Sequence, residues 1–254
     1  MQYQSRLVDS GQKEVHSQLL KVLAIHLQSE YKKPISIHSQ TIFAAVEKLR
    51  KQLNKPVILD SGCGTGSATR ELAQLYDEAL VIGVDKSSHR LARGGVHKDV
   101  EREGNCLLVR MDLVDFWRLA LQHGWRLKKH YLLYPNPWPK AKHLRRRWHA
   151  HPVFPQLLSL GGILELRCNW RIYATEFHAA MNFITPGVCK LTQYDTQTGL
   201  SLFEQKYLAS GHRLYQCCCI LDNLDTSNQN IGELQPAISS PFPGKIFSQN
   251  VKDL

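Results

Sequence analysis

The stretch PVILDSGCGTGSATRELAQLY, residues 56–76, decides the fold. Its first half is a short apolar run that ends on Asp60, and its second half carries apolar residues at helical spacing. Between the two lie Gly62, Gly64 and Gly66. Glycines at alternate positions let the backbone turn sharply and pass close to a ligand where a side chain would block the approach. Strand, glycine-rich turn and helix, in that order, form the opening unit of an α/β sheet.

Outward from this unit the alternation continues. Strand candidates occupy residues 79–85, 106–112, 130–135, 163–168, 188–195 and 213–221, with helical patterns such as YATEFHAAMNF between them. The pattern predicts a doubly wound, Rossmann-like sheet of seven mostly parallel strands with helices on both faces. Residues 1–50 read as a helical extension, HSQLLKVLAIHLQSEY and SQTIFAAVEKLRKQL separated by KKPISIH, which could cap the sheet or contact substrate. The sheet domain runs over 51–222. Residues 223–254, rich in Asn, Ser, Gln and Pro, read as a loosely ordered tail.

Lys and Arg number 32 against 22 Asp and Glu, a formal charge of +10. That excess points to a polyanionic partner, nucleic acid or a membrane surface. No apolar run reaches the length of a membrane span, and MQYQSRLVDSGQKEVHSQLL is too polar for the core of a signal peptide. The expectation is a cytoplasmic protein without a membrane partner. The 7 cysteines form no C-x-x-C pair and no His spacing suggests zinc, so they are expected to be reduced and structural, with no metal. Monomer and homodimer stay open.

Three successive strand candidates end in acids, Asp60, Asp85 and Asp112. One such acid is most often a cap or turn residue. Three of them behind a glycine-rich loop mark a ligand site at the carboxyl edge of the sheet. Asp85 is placed to take both hydroxyls of a ribose, and Asp112 lies where an adenine edge would. Asp60, two residues before Gly62, suits a charged amino-acid moiety rather than a pyrophosphate. These features favour S-adenosylmethionine over NAD as cofactor, although Asp85 would serve the adenosine ribose of either.

The fourth strand, HYLLYP, delivers Asn136 to the same edge. It opens Pro135-Asn136-Pro137-Trp138-Pro139-Lys140, and Lys142-His143-Leu144-Arg145-Arg146-Arg147 follows. Further on stand Gly161-Gly162, Cys168-Asn169-Trp170-Arg171-Ile172-Tyr173, Ser201-Leu202-Phe203-Glu204 and Gly211-His212. Taken in order, over residues 56–221, these resemble the motifs of the bacterial tRNA (guanine-N7)-methyltransferases. That family reads P-D-P-W-x-K, a basic x-R-H-x-K-R-R segment, G-G, T-D-W-x-x-Y, T-x-[FY]-E and G-[HQ].

The resemblance implies a class I S-adenosylmethionine-dependent methyltransferase fold, with tRNA as partner. It implies that Asp60, Gly62, Gly64, Gly66, Asp85, Asp112 and Asn136 surround the cofactor. Lys140, Asn169, Ser201, Leu202, Phe203 and Glu204 would contact the guanine or its tRNA. Asn136 would stand where the family places its proposed catalytic aspartate. The chain departs from the family with Asn at 136 and 169 and Ser at 201.

Guanine N7 already carries an in-plane lone pair, so methyl transfer removes no proton and leaves positive charge on the base. The tasks are alignment and charge stabilisation. Aspartate would accept from the guanine N1–H and amino group while answering the charge, whereas asparagine keeps one acceptor and no charge. A slower enzyme, a different nucleobase and RNA binding without catalysis all remain open. A second resemblance is to amino-methyltransferases for adenine N6 or a protein side chain, which carry [DN]-P-P-[FYW] after the same strand. Here the second proline is missing.

From Phe116 to Leu164 there are 9 Lys or Arg residues and no acid, with Trp138 and Trp148 among them. Cations interleaved with flat aromatic faces predict an RNA-facing surface. Lys142, Arg145, Arg146 and Arg147 are its expected RNA contacts, and His143, His149 and His151 are expected at the surface.

Overall fold

The central strands follow directly from the apolar runs. β1 (Val57–Ser61) and β2 (Leu80–Asp85) are buried at every position, as strands covered on both faces must be. The computed structural model describes residues 5–222. Its remaining strands are β3 (Val100–Glu103), β4 (Cys106–Arg110), β5 (Leu127–Leu133), β6 (Ile163–Cys168), β7 (Cys189–Tyr194) and β8 (Leu214–Ile220). They form one sheet in the order β3-β4-β2-β1-β5-β6-β8-β7. Pairing is parallel from β4 through β6, while β8 lies antiparallel between β6 and β7.

The chain leaves β1 towards β2 on one side and returns to β5 on the other. The switch in direction between β1 and β5 opens a crevice at their carboxyl ends, where ligands bind in sheets of this kind. This order, with an antiparallel strand inserted before the last edge, is the class I methyltransferase arrangement expected from the sequence.

One count differs: the described sheet has eight strands where seven were expected. The addition is β3, which pairs antiparallel with β4. Its sequence, VERE, is only partly buried and mostly charged, as a protected edge strand tends to be. Four such residues give no apolar run to read.

Eight α-helices cover the sheet among the described residues: α1 (Leu19–Gln28), α2 (Ile37–Leu53), α3 (Ser67–Leu75), α4 (Ser88–Arg93), α5 (Leu113–Gln122), α6 (Phe154–Leu158), α7 (Arg171–Ile184) and α8 (Leu202–Ala209). α1 buries Leu19, Val22, Leu23 and His26, one stripe at helical spacing, and packs against α7. α2 starts on a Ser36 cap that accepts from Ser39 N, and packs against α5. The Phe43 ring lies 5.4 Å from Phe116 and 5.2 Å from Trp125. The N-terminal helices therefore share the main apolar core. Truncating a ring buried like Phe43 typically costs about 3–5 kcal/mol.

The 7 cysteines are free thiols, and Cys168, Cys189, Cys217 and Cys219 are buried in the sheet. No described helix is long and apolar enough to cross a membrane. The expected tail, 223–254, lies outside the described residues.

Candidate functional site

The loop after β1 owes its path to its glycines. Gly62 and Gly64 adopt φ of +83° and +62°, the left-handed region that a side chain disfavours. Gly62 N donates to Val84 O at 2.8 Å and Gly64 N to Asp85 Oδ2 at 3.0 Å, which folds the loop back onto the end of β2. Gly64 faces open space. Gly66 behaves differently from the expectation, since it caps α3 and a Cβ there would lie 2.7 Å from Leu108. It shapes the turn by packing and lines neither lobe of the cleft described below.

The three strand-end acids each have a local job. Asp60 is buried and accepts a 2.7 Å hydrogen bond from Thr69 Oγ1. Burial pushes its carboxyl up to about 6, outweighing the Thr69 bond, and the neighbouring charge of Asp85 adds to the rise. Asp85 Oδ1 accepts from Ser87 N at 2.8 Å and from Arg90 at 3.0 Å. Asp112 caps α5, accepting from Val114 N at 2.9 Å.

Above them lies a cleft of two lobes that share Gly62, Arg90, Leu133 and Phe203. The first, about 310 Å³, is lined by Asp60, the Gly62–Thr65 backbone, Arg93, Ser201, Leu202 and Lys206. The second, about 530 Å³, is lined by Asp85, Asp112, Asn136, Trp138, Arg145, Arg146 and Trp148, with Tyr31 and Lys33 from between α1 and α2. Acids thus stand at the sheet edge, and cations and aromatic rings on the rim. Arg146 covers the Trp138 ring at 4.7 Å. His151, which joins the rim, has its imidazole pushed down to about 4 by burial and is neutral at pH 7.

Asn136 is exposed, and its Oδ1 accepts from Trp138 N at 3.2 Å. The residues two positions either side of it, Tyr134 and Trp138, have φ of 50° and 45°. Left-handed backbone costs a non-glycine residue about 1–2 kcal/mol, so the loop is strained on both sides of Asn136.

Several expected contacts fall elsewhere. Arg147 is 0% exposed and bonds Glu176, Gln12 and the Trp138 carbonyl, so it cannot be an RNA contact. His149 is equally buried, 3.0 Å from Glu176, and is not a surface residue. Glu204 is 0% exposed and its carboxylate is occupied by Tyr134, Arg167 and Leu200 N, which removes it from direct substrate contact. Ser201 and Glu204 are three apart at the start of α8, where Ser201 Oγ accepts from Glu204 N at 3.1 Å. The S-x-x-E spacing that carried part of the resemblance is also a helix-capping signature.

Lys140 and Asn169 line neither lobe. Lys140 is exposed, and Asn169 Nδ2 lies 3.0 Å from His212 Nδ1. Lys142, Arg145 and Arg146 are exposed as expected. The lobes add Tyr31, Lys33, Arg90, Arg93 and Lys206, scattered through the sequence without a motif to mark them.

Residues 54–217 match the family described as "Putative methyltransferase". A tRNA (guanine-N(7)-)-methyltransferase of Neisseria meningitidis serogroup C is 31% identical over 128 residues, 48% of this chain and 52% of that protein. The chain therefore spans about half the length of this relative. The Leifsonia xyli enzyme of the same description is 28% identical over 174 residues, covering 60% of this chain and 75% of that protein. That of Alkaliphilus oremlandii is 25% identical over 170 residues, covering 64% and 80%. Among solved structures, the 16S rRNA methyltransferase KamB aligns with a TM-score of 0.49 at 15% identity, over 76% of this chain and 96% of that one.

Proposed function

The chain belongs to the family described as "Putative methyltransferase", and we propose that it transfers the methyl group of S-adenosylmethionine to N7 of a guanine in tRNA. The cofactor supplies an electrophilic methyl group on a sulfonium sulfur. The residues of the cleft fit it. A buried carboxylate held near 6 beside another acid gains most from a cation, so Asp60 would hold the cofactor's ammonium group. The Gly62–Thr65 backbone leaves room for the amino-acid portion. Asp85 would take the ribose hydroxyls. Three of a carboxylate's roughly four lone-pair sites are used by Gly64 N, Ser87 N and Arg90. The Arg90 side chain is 45% exposed, so it can swing away and free another. Asp112 and Leu113 would border the adenine.

The observation that supports guanine is the amide of Asn136. Its oxygen accepts from Trp138 N, which leaves the amide N–H groups as donors. Guanine O6, beside N7, is an acceptor, whereas the adenine amino group is a donor. An amino-methyltransferase needs the asparagine oxygen to accept from its substrate, and here one of that oxygen's two lone pairs is already taken. Transfer to N7 requires no proton acceptor, only alignment and a negative surrounding for the charge that develops. Asp85 and Asp112 line the same lobe and are the acids that would face this charge, among the cations Lys33, Lys86, Arg90, Arg145 and Arg146. Lys140, Lys142, Arg145 and Arg146 would meet phosphates, and Trp138 and Trp148 would meet bases.

A second reading is RNA binding without turnover. It is supported by the two neutral asparagines, since Asn169 also spends its amide on His212. Incubation with labelled S-adenosylmethionine and total tRNA, followed by nucleoside mapping, separates these readings. 7-Methylguanosine is the expected product. N6-Methyladenosine would transfer the assignment to amino-methylation, and binding of cofactor and RNA without product would establish the second reading.

A further inference from the structure

The strained loop that carries Asn136 hangs between two arginine–glutamate pairs, one fully buried and one with only its arginine partly exposed, and neither touches the cleft through its charges. On one side, the Tyr134 hydroxyl donates to Glu204 Oε1 at 2.7 Å, and Arg167 Nη1 lies 3.2 Å from the same oxygen. On the other, Arg147 donates to the Trp138 carbonyl from Nη2 at 3.1 Å and from Nε at 3.3 Å, while its Nη1 meets Glu176 Oε2 at 2.5 Å. Tyr134 and Trp138 are the two residues of this loop with left-handed backbone. Each strained residue is thus tied to its own arginine–glutamate pair.

We infer that Arg147–Glu176 and Arg167–Glu204 are positioning pairs that fix the Tyr134–Trp138 loop, and with it Asn136, over the cofactor lobe. The inference rests on the methyl-transfer reading for its catalytic consequence. Glu176 is saturated: Oε1 accepts from Gln12 at 2.6 Å and His16 N at 3.0 Å, and Oε2 from Arg147 and His149. Glu204 is likewise saturated, with Leu200 N at 2.5 Å. Groups so fully used have nothing left for a substrate. A buried ion pair is also poor evidence for stability alone, because the cost of removing two charges from water offsets their attraction. What these pairs provide is a fixed geometry in a low-dielectric interior, where each hydrogen bond is strong and directional.

The chain's own N-terminal segment completes one of the two ties. Gln12 bridges both members of its pair, accepting from Arg147 at 2.9 Å while donating to Glu176. Two residues earlier, the Ser10 hydroxyl donates to the Pro139 carbonyl at 2.8 Å, next to Trp138. Residues 10–16 therefore act as a strap across the outer end of the loop.

Two variants test the inference in the full chain. Arg147→Lys keeps the charge for Glu176 but loses the fork on the Trp138 carbonyl. Tyr134→Phe removes only the hydroxyl that reaches Glu204. In each, kcat should fall at least about tenfold, while the KM for tRNA and the dissociation constant for S-adenosylmethionine change less than about twofold. Amide exchange across residues 134–140 should accelerate in both. A rise in the tRNA KM with kcat unchanged would mean direct contact and overturn the inference, as would unchanged exchange in Tyr134→Phe. If the wild type transfers no methyl group, the exchange measurement still decides whether the pairs hold the loop, and only the methyl-transfer reading falls.

Discussion

Replacing Asp60 by asparagine should abolish a pH dependence of cofactor binding that the wild type shows. Asparagine keeps the acceptor for Thr69 Oγ1, so the perturbation removes the charge and little else. With its carboxyl pushed up to about 6, Asp60 is roughly one-tenth ionised at pH 5 and nine-tenths ionised at pH 7. If the ionised form is the one that holds the ammonium group, affinity for S-adenosylmethionine should rise about tenfold between those two values. The unliganded protein should show the opposite sign. A carboxyl that ionises near 3.8 unfolded and about 6 folded binds its proton more tightly in the fold, so stability falls as pH rises through that window. The loss is about 3 kcal/mol once both states are ionised. Calorimetric titration at constant ionic strength reads the first effect, and urea denaturation without ligand reads the second. A flat binding profile in the wild type, or the same slope in Asp60→Asn, would refute the assignment of Asp60 to the ammonium group.

Asn136→Asp removes the amide N–H that would meet guanine O6 and sets a carboxylate against that oxygen, so kcat on tRNA should fall roughly tenfold, equivalent to about 1.4 kcal/mol. Single-turnover methylation checks this, and an unchanged or higher rate would show that the Asn136 amide does not donate to the base. Arg145→Ala and Arg146→Ala should each lower the salt dependence of tRNA binding by about one phosphate contact, measured as the slope of log affinity against log salt. Gly94→Ala should loosen the cofactor loop, because a Cβ there would lie 1.9 Å from the Thr65 carbonyl oxygen. Overpacking of that kind costs about 1–3 kcal/mol, or a few degrees of thermal midpoint in a domain of this size, and cofactor affinity should fall with it.

Much of the fold could be read locally. Each candidate run from PVILD to RLYQCCCIL became a strand, and for the central β1 and β2 the reason is that an unbroken run buried on both faces has few other places to go. The charged, four-residue β3 escaped because its pairing with β4, rather than its composition, makes it a strand. The glycine loop and the acids at 60, 85 and 112 were legible for the same local reason: a strand end fixes where its last residue lies.

The side chains of the basic segment were not legible in this way. Arg145, Arg146 and Arg147 are adjacent in sequence, yet two face solvent and one is fully buried. What turned Arg147 inward is Glu176, 29 residues later, together with Gln12, 135 residues earlier. Glu204 was drawn in by Tyr134, 70 residues away. Sequence alone determined seven of the eight described strands, the glycine loop with its strand-end acids and the loop bearing Asn136, because periodicity and strand ends act over a few residues. Only the tertiary structure decided which charges meet solvent and which hold the loop, because a buried charge requires partners that the chain brings together only when it folds.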